Sequence, residues 1–380
     1  MQKVKLKEKL ASLQRNIDYI LKFNIWFIKG TEVQSGQRLS IIYGGDLRSR
    51  NFIISLAFGD KYEVIELGKR GLFDIFLNAK GIRQSCCIMI LKVNDTLCKV
   101  IKRNRDFYIP LWVHGEVDIP LSSLKRSIKC IVKKINREKL SFEVTTEECK
   151  ISAFYHNMYL PYVNQRHGNV VILTEYKDVK QHLEAGVCDL MLITKKNEYI
   201  AGMLILYQEN GPRLWLLGIK DGDQCYLKDH AGIACYYLAS SYLQEQGYGS
   251  VNLGGSRAFL NDGVLQFKKK WGFRLVGKSE GGFVIKPVFA STGLKGFFQR
   301  NPFIYMDQRR LCGAIFVEND EDCCSKSFEK LCKCLWLNGL STLNIYRFRD
   351  DAAANDMTLT PQIFDKMTIR VADESLKPAH

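Results

Sequence analysis

With 380 residues, 46% of them hydrophobic and 25% charged, the chain is globular material for two or three hydrophobic cores that need no disulfide staples. Its cysteines number thirteen, include the adjacent pairs Cys86/Cys87 and Cys323/Cys324, and follow no secretory segment, so they read as reduced thiols in a reducing, cytoplasmic compartment. A net charge of +15 points to anionic partners, be they phosphorylated small molecules, nucleic acid or an anionic membrane, and no apolar run approaches the roughly 18 residues that span a bilayer.

In chain order, residues 1–35 form a basic segment. Its start reads as an amphipathic helix with Leu6, Leu10, Leu13, Ile17 and Leu21 opposite Lys3, Lys5, Lys7 and Lys9. Packing on the protein's own body competes there with peripheral contact at an anionic inner membrane face. Residues 36–150 form a first unit. The patterns predict strands over NFIISLAF and YEVIEL, a short helix near Gly71 to Ala79, strands over CCIMILKV and LCKVIK, a helix from Ser122 to about Glu138 and a strand over LSFEVTT.

Residues 151–290 form a second unit. After the aromatic helix FYHNMYLPYVNQRHG (Phe154 to Gly168), DLMLITKK and YIAGMLILYQ read as strands joined at Asn197-Glu198, and RLWLLGI completes an antiparallel meander. Asp229 is a predicted N-cap for a buried helix ending at Gly247. A short buried strand, SVNLGG, runs parallel to the third, and a second helix and a closing hairpin, FRLVGKS and GFVIKPVF, finish an α/β layer with a mixed sheet. The repeated rhythm suggests that the first unit is a duplicate of the second. Residues 291–380 read as a small βαβ-type extension (FIYMD, LCGAIFVEN, a helix over SFEKLCKCLWLNGL, TLNIYRF) and a loose tail from Asp350. The cysteines of that extension, Cys312, Cys323, Cys324, Cys332 and Cys334, have no C-x-x-C pair and no histidine nearby, so no metal site is expected.

The stretch Asn261 to Gly272, NDGVLQFKKKWG, carries the sharpest functional signal. At about 100° per residue, Val264, Leu265, Phe267 and Trp271 share one apolar stripe, and Lys268 falls inside it at about 40° from Val264. A cation on a core-facing stripe needs an anion, a hydrogen-bond network or a substrate, unless its stem snorkels to water.

These residues resemble a known group. Gly263-Val264, Phe267-Lys268 and Trp271-Gly272 match the Gly-(Leu/Val)-x-x-Phe-Lys-x-x-(Phe/Trp)-Gly signature of GNAT-fold acyltransferases in the Fem-like branch, which contains peptidoglycan-bridge aminoacyltransferases and related polysaccharide acetyltransferases. The aromatic helix ending in Arg166-His167-Gly168 matches a second feature of that branch. The likeness covers about Phe154 to Val288 and implies tandem GNAT-like units. It further implies transfer of an acyl group from acetyl-CoA or another acyl-CoA to an amino group of a nucleotide-sugar or other sugar-containing envelope or polysaccharide precursor. An aminoacyl-tRNA donor, and a non-catalytic module that binds an anionic glycan or lipid, stand as alternatives. The Arg/Gln-x-x-Gly-x-Gly/Ala turn that holds the CoA pyrophosphate in ordinary enzymes of the fold is missing from Gly218 to Gly232, GIKDGDQCYLKDHAG.

Acyl transfer needs a proton acceptor, an oxyanion site and a hold on both substrates. Lys268 is the candidate to steady the oxyanion or an acceptor phosphate. Gly254, Gly255 and Ser256 offer close backbone approach at a strand end, or simply a turn. Arg257 is a candidate phosphate or carboxylate clamp and Asn261 a neighbouring contact. Asp262 is an N-cap or the proton acceptor, and His230 at the other helix mouth titrates in the useful range. Arg166, His167, Tyr155 and Tyr159, with Trp271, are candidate acceptor-groove residues, although aromatics at helical spacing also suit a core.

Overall fold

The computed structural model describes residues 23–71, 86–138, 140–167, 173–288, 291–317, 326–348 and 367–371. In chain order these form β1 (Phe23–Glu32), β2 (Arg38–Gly45), α1 (Leu47–Ala57), β3 (Phe58–Arg70), β4 (Ile88–Val93), α2 (Asp95–Ile101), β5 (Phe107–Pro110), β6 (Val113–Asp118), α3 (Arg126–Glu138) and β7 (Ser141–Thr145). Then come α4 (Glu148–Phe154), a π-helical turn (Tyr155–Tyr159), α5 (Leu160–His167), α6 (Tyr176–Glu184), β8 (Cys188–Lys195), β9 (Glu198–Gln208), β10 (Gly211–Ile219), α7 (Gln224–Lys228), α8 (Ala231–Glu245), β11 (Ser250–Ser256) and α9 (Gly263–Lys269). The remainder is β12 (Arg274–Lys278), β13 (Gly282–Pro287), α10 (Thr292–Arg300), β14 (Phe303–Asp307), β15 (Arg310–Val317), α11 (Lys326–Leu335), β16 (Thr342–Arg347) and β17 (Met367–Val371). The predicted helices over Leu6 to Leu21 and near Gly71 to Ala79 lie outside the described residues, apart from Gly71 itself.

The fold is α/β with mixed sheets, and the chain divides into two compact units. One holds residues up to 113, 257–262 and those from 278 onward; the other holds 114–256 and 263–277. In the first, a six-stranded sheet runs β3-β1-β2-β4-β13-β5 and a four-stranded sheet runs β14-β15-β16-β17. The second has a seven-stranded sheet, β12-β6-β11-β10-β9-β8-β7. The hairpin expected from FRLVGKS and GFVIKPVF therefore does not form. β13 instead pairs antiparallel with β4 and β5, where Phe283, Val284 and Ile285 are each no more than 1% exposed. A strand apolar on both faces gains more in a sheet interior than in an edge hairpin.

Two predicted strands of the first unit are helices. NFIISLAF lies within α1 except for Phe58, which opens β3, and the first turn of α1 is capped by the Asp46 carboxylate accepting from the Ser49 N–H at 2.9 Å. Ser49, Ile53 and Ala57 are buried at helical spacing. LCKVIK lies within α2 except for Lys102, its C-cap, and the helix is capped at its start by Asn94 accepting from Leu97 N–H at 2.8 Å. In both cases the short polar cap, not the apolar run, chose the element. The C-terminal extension adds α10, capped by Ser291, before the expected β14, β15, α11 and β16. Part of the expected loose tail, Met367–Val371, is a strand parallel to β16.

In the second unit the meander β8-β9-β10 is antiparallel and β11 joins β10 in parallel, as the periodicity predicts. The β8-β9 turn falls one residue earlier than expected, on Lys196 and Asn197, both with φ above +50° or at it (50° and 63°). That is the twist a two-residue hairpin turn requires. Residues Ile200 to Leu206 of β9 are all buried, which requires cover on both faces. One face receives the aromatic helix through two glycines. A Cβ on Gly202 or Gly218 would sit 2.7 Å from the Phe154 ring, and on Gly218 also 2.8 Å from the Tyr159 backbone nitrogen.

Gly218→Ala should therefore lower stability by about 1–3 kcal/mol through overpacking. Gly249→Ala, whose Cβ meets nothing within 4 Å, should stay within about 0.5 kcal/mol. Urea midpoints of the two variants check the contrast.

Candidate active site

The lysine helix turns its ammonium inward, as its spacing predicts. Lys268 is 2% exposed, and Nζ donates to the backbone oxygens of Gly254 at 2.9 Å and Gly255 at 2.8 Å. Leu265 and Trp271 are buried beside it, whereas Val264, expected on the same stripe, is 37% exposed. Helix α9 spans seven residues, too short for its whole apolar stripe to find cover. With two of its three N–H donors on these carbonyls, Lys268 holds the turn at the end of β11.

That turn is bent on purpose. Gly254 has φ +78°, a conformation in which an L side chain is strained, and its N–H donates to Asn252 Oδ1 at 2.7 Å. β10 and β11 are registered at Arg213 opposite Asn252 and carry no further paired position in the ladder. Backbone pairing thus ends before Gly254, Gly255 and Ser256. Ser256 is 1% exposed and its Oγ has no hydrogen-bond partner among the described residues. The Trp271 indole Nε1 is likewise buried without a partner, its ring packed against Tyr236 and Phe267 with centroids 5.6 and 6.1 Å away.

Residue His114 of β6 and Arg213 of β10 were not signalled by any motif. The His114 imidazole is held below its ordinary 6.5 by burial, then by the charges of Arg213 and Lys268. Arg213 is lowered by burial. The only sequence hint was a histidine set in the alternating run VHGEVD, a pattern too common to single out.

Arg257 follows Ser256 in the chain and belongs to the first unit. Its guanidinium carbon lies 4.2 Å from the ring centroids of both Phe52 and Trp112. Phe52 is itself steadied by Phe259 and Phe283 at 5.7 and 6.5 Å. Burial lowers the Arg257 pKa, while Asp262 and Asp46 oppose that shift. A guanidinium sandwiched between two aromatic faces keeps its hydrogen-bonding edges in a fixed plane. Asp262 is half-buried, and its backbone N–H donates to Phe259 O at 3.0 Å. Asn261 Nδ2 donates to Arg300 O at 2.6 Å, a link that ties the loop down.

Other expected residues have structural duties. The Tyr155 hydroxyl donates to Thr174 O at 2.8 Å and the Tyr159 hydroxyl accepts from Thr174 N–H at 3.2 Å, both rings being nearly buried. Arg166 donates to the Tyr162 hydroxyl at 2.6 Å. His167 closes α5. Asp229 does not cap α8: it accepts from Lys195 at 2.8 Å, and the N-cap is His230, at φ 64° with no side-chain cap bond. The segment expected to hold a CoA pyrophosphate forms a short 3-10 turn and α7, capped by Asp223 accepting from Cys225 N–H at 2.7 Å. Asp221 and Asp223 put carboxylates in that place, which disfavours a pyrophosphate there.

No family model and no curated protein matches the chain. Among solved structures it is similar to FemX, at 14% identity and a TM-score of 0.36, covering 69% of this chain and 83% of that one. It is also similar to L-PGS from Bacillus licheniformis at 12% identity and a TM-score of 0.35, covering 73% and 85%. A GCN5-related N-acetyltransferase from Sphaerobacter thermophilus gives 8% identity and a TM-score of 0.29, covering 69% and 76%. At this distance the chemistry of the chain rests on its own geometry.

Lys268→Met leaves two carbonyls without their charged donor and should cost about 3 kcal/mol, read as a lower urea midpoint. His114 should titrate below 6.5. Since its folded pKa is depressed, the unfolded chain takes the proton first as pH falls through 6.5, so the histidine costs stability below that pH. The expected result is that His114→Asn flattens the slope of stability against pH as the pH falls below about 6.5.

Proposed function

We propose that the chain is an acyltransferase that moves an acyl group from an acyl-CoA to an amino group of a sugar-containing envelope or polysaccharide precursor. The observation that carries the reading is the Lys268 clamp on Gly254 and Gly255, which holds β11 where it parts from β10. In an acyltransferase of this architecture, that divergence is where backbone groups meet the acyl carbonyl. The resemblance of the GVLQFKKKWG signature to Fem-like enzymes supports the same assignment.

In this reading the acceptor amine attacks the thioester carbonyl within a ternary complex. A carbon–nitrogen bond forms, the tetrahedral oxyanion collapses, and the coenzyme leaves as its thiol after the amine proton has passed to a base. Asp262 is the carboxylate assigned to take that proton. Arg257, its plane set by Phe52 and Trp112, grips an acceptor phosphate or carboxylate with Asn261 beside it. Lys268 positions the Gly254–Ser256 turn. Trp271, Tyr155, Tyr159, Arg166 and His167 shape the surroundings, and His230 stands as the other candidate base.

The exposed face of α3 favours a second reading of the donor, an aminoacyl-tRNA. Lys125, Arg126, Lys129, Lys133 and Arg137 are exposed there, on one side of a helix whose Ile128 and Ile135 are buried. A row of cations suits a phosphate backbone and makes binding salt-dependent. Asp221 and Asp223 at the expected pyrophosphate position weigh the same way.

Steady-state release of CoA thiol from acetyl-CoA in the presence of amino-sugar and nucleotide-sugar acceptors tests the first reading. The expected result is acceptor-dependent release that falls at least about ten-fold in Arg257→Gln. Turnover only with charged tRNA would shift the donor to the second reading. No turnover with either donor, together with retention of an anionic glycan or lipid, would make the chain a binding module and end the enzymatic assignment.

A further inference from the structure

Strand β10 opens with a cation that the described residues of its unit leave without a counter-charge. Arg213 lies flat against Gly254: a Cβ on that glycine would come within 3.7 Å of Nε and 3.9 Å of Nη2. Its Nε is buried with no hydrogen-bond partner, and its guanidinium forms no ion pair with any carboxylate among the described residues. Gly254 in turn gives its carbonyl to the buried ammonium of Lys268 at 2.9 Å. The His114 imidazole, on β6, is held down by burial first and then by the charges of Arg213 and Lys268. Strand β6 lies next to β11 in the sheet. The acid nearest in sequence, Glu116, shares the strand face of His114 but is bonded to Arg274 at 2.5 Å.

Arg213 is half-buried, and a donor such as its Nε that has left water without a partner carries an unmet desolvation cost. Cations elsewhere in the chain have that cost met. Lys286, buried in the other unit, reaches both the Asp106 carboxylate and the Ile101 carbonyl, the latter at 2.6 Å. Arg213 has no carboxylate bonded to it among the described residues, and Gly254 sets no side chain against its guanidinium.

We infer that Arg213 and His114 form a subsite for an oxyanion, a carboxylate or phosphate group carried by a ligand, seated over Gly254. The guanidinium offers its N–H groups to two oxygens of the anion. The imidazole, neutral while the subsite is empty, takes up a proton as the negative charge arrives and donates the third hydrogen bond. Binding here is independent of whether acyl transfer occurs, so it is measured without turnover.

The test uses the full chain with 13C-labelled histidine, whose six histidines allow His114 to be assigned by loss of its signal in His114→Gln. Inorganic phosphate, acetate and chloride are added separately at matched ionic strength. Phosphate or acetate should raise the His114 pKa by at least about half a unit, with chloride leaving it in place. Whichever oxyanion saturates at the lower concentration identifies the group. Arg213→Gln should abolish the shift, and Arg213→Lys, which keeps the charge but not the fork, should retain part of it with weaker binding. A shift of equal size with chloride, no shift with either oxyanion, or an undiminished shift in Arg213→Gln at unchanged Tm would overturn the subsite. Should Arg213→Gln fail to fold, an undiminished, equally tight shift in Arg213→Lys overturns it instead.

Discussion

The second unit turns on one buried ammonium. Lys268 gives up hydration to lie at 2% exposure, and what it receives is a pair of carbonyls at 2.9 and 2.8 Å. Desolvating a cation is expensive, so the bonds do more than decorate a turn. They couple α9 to the end of β11 and hold Gly254 at its positive φ, with Asn252 bonding the same residue from the other side.

Cations recur through the molecule in three physical settings. Lys286 with Asp106 and Lys278 with Asp95 are paired with carboxylates and serve the first unit's core. Arg257 is held by ring faces, which fix its plane. Arg213 lies against a bare glycine backbone. A paired cation is at rest electrostatically, whereas a stacked or unpaired one stores an attraction that an incoming anion can satisfy. The charge of +15 thus resolves into positions of unequal meaning.

The aromatic helix shows how packing limits function. Phe154 enters the hollow left by Gly202 and Gly218, and the π-helical turn after it brings Tyr155 and Tyr159 onto the backbone of Thr174. Both hydroxyls thereby fasten a chain segment. Rings at helical spacing do both jobs in proteins, and only their hydroxyl partners distinguish them.

Read alone, the amino-acid order determined the elements whose signals are local and strong. These are the β8-β9-β10 meander, the long buried helix closed at Gly247, the parallel return of β11 and the inward azimuth of Lys268, all set by periodicity within one element. It misjudged NFIISLAF and LCKVIK, because a short apolar run suits strand and helix alike and Asp46 and Asn94 decided the matter through capping bonds. Tertiary structure alone decided the rest. β13 left its neighbour β12 for the sheet of β4, Asp229 went to Lys195, Phe52 and Trp112 came together on Arg257, and His114 came within the field of Arg213. Each of these joins residues far apart in the chain, and no periodicity within a single element encodes which distant partner will lower its free energy most.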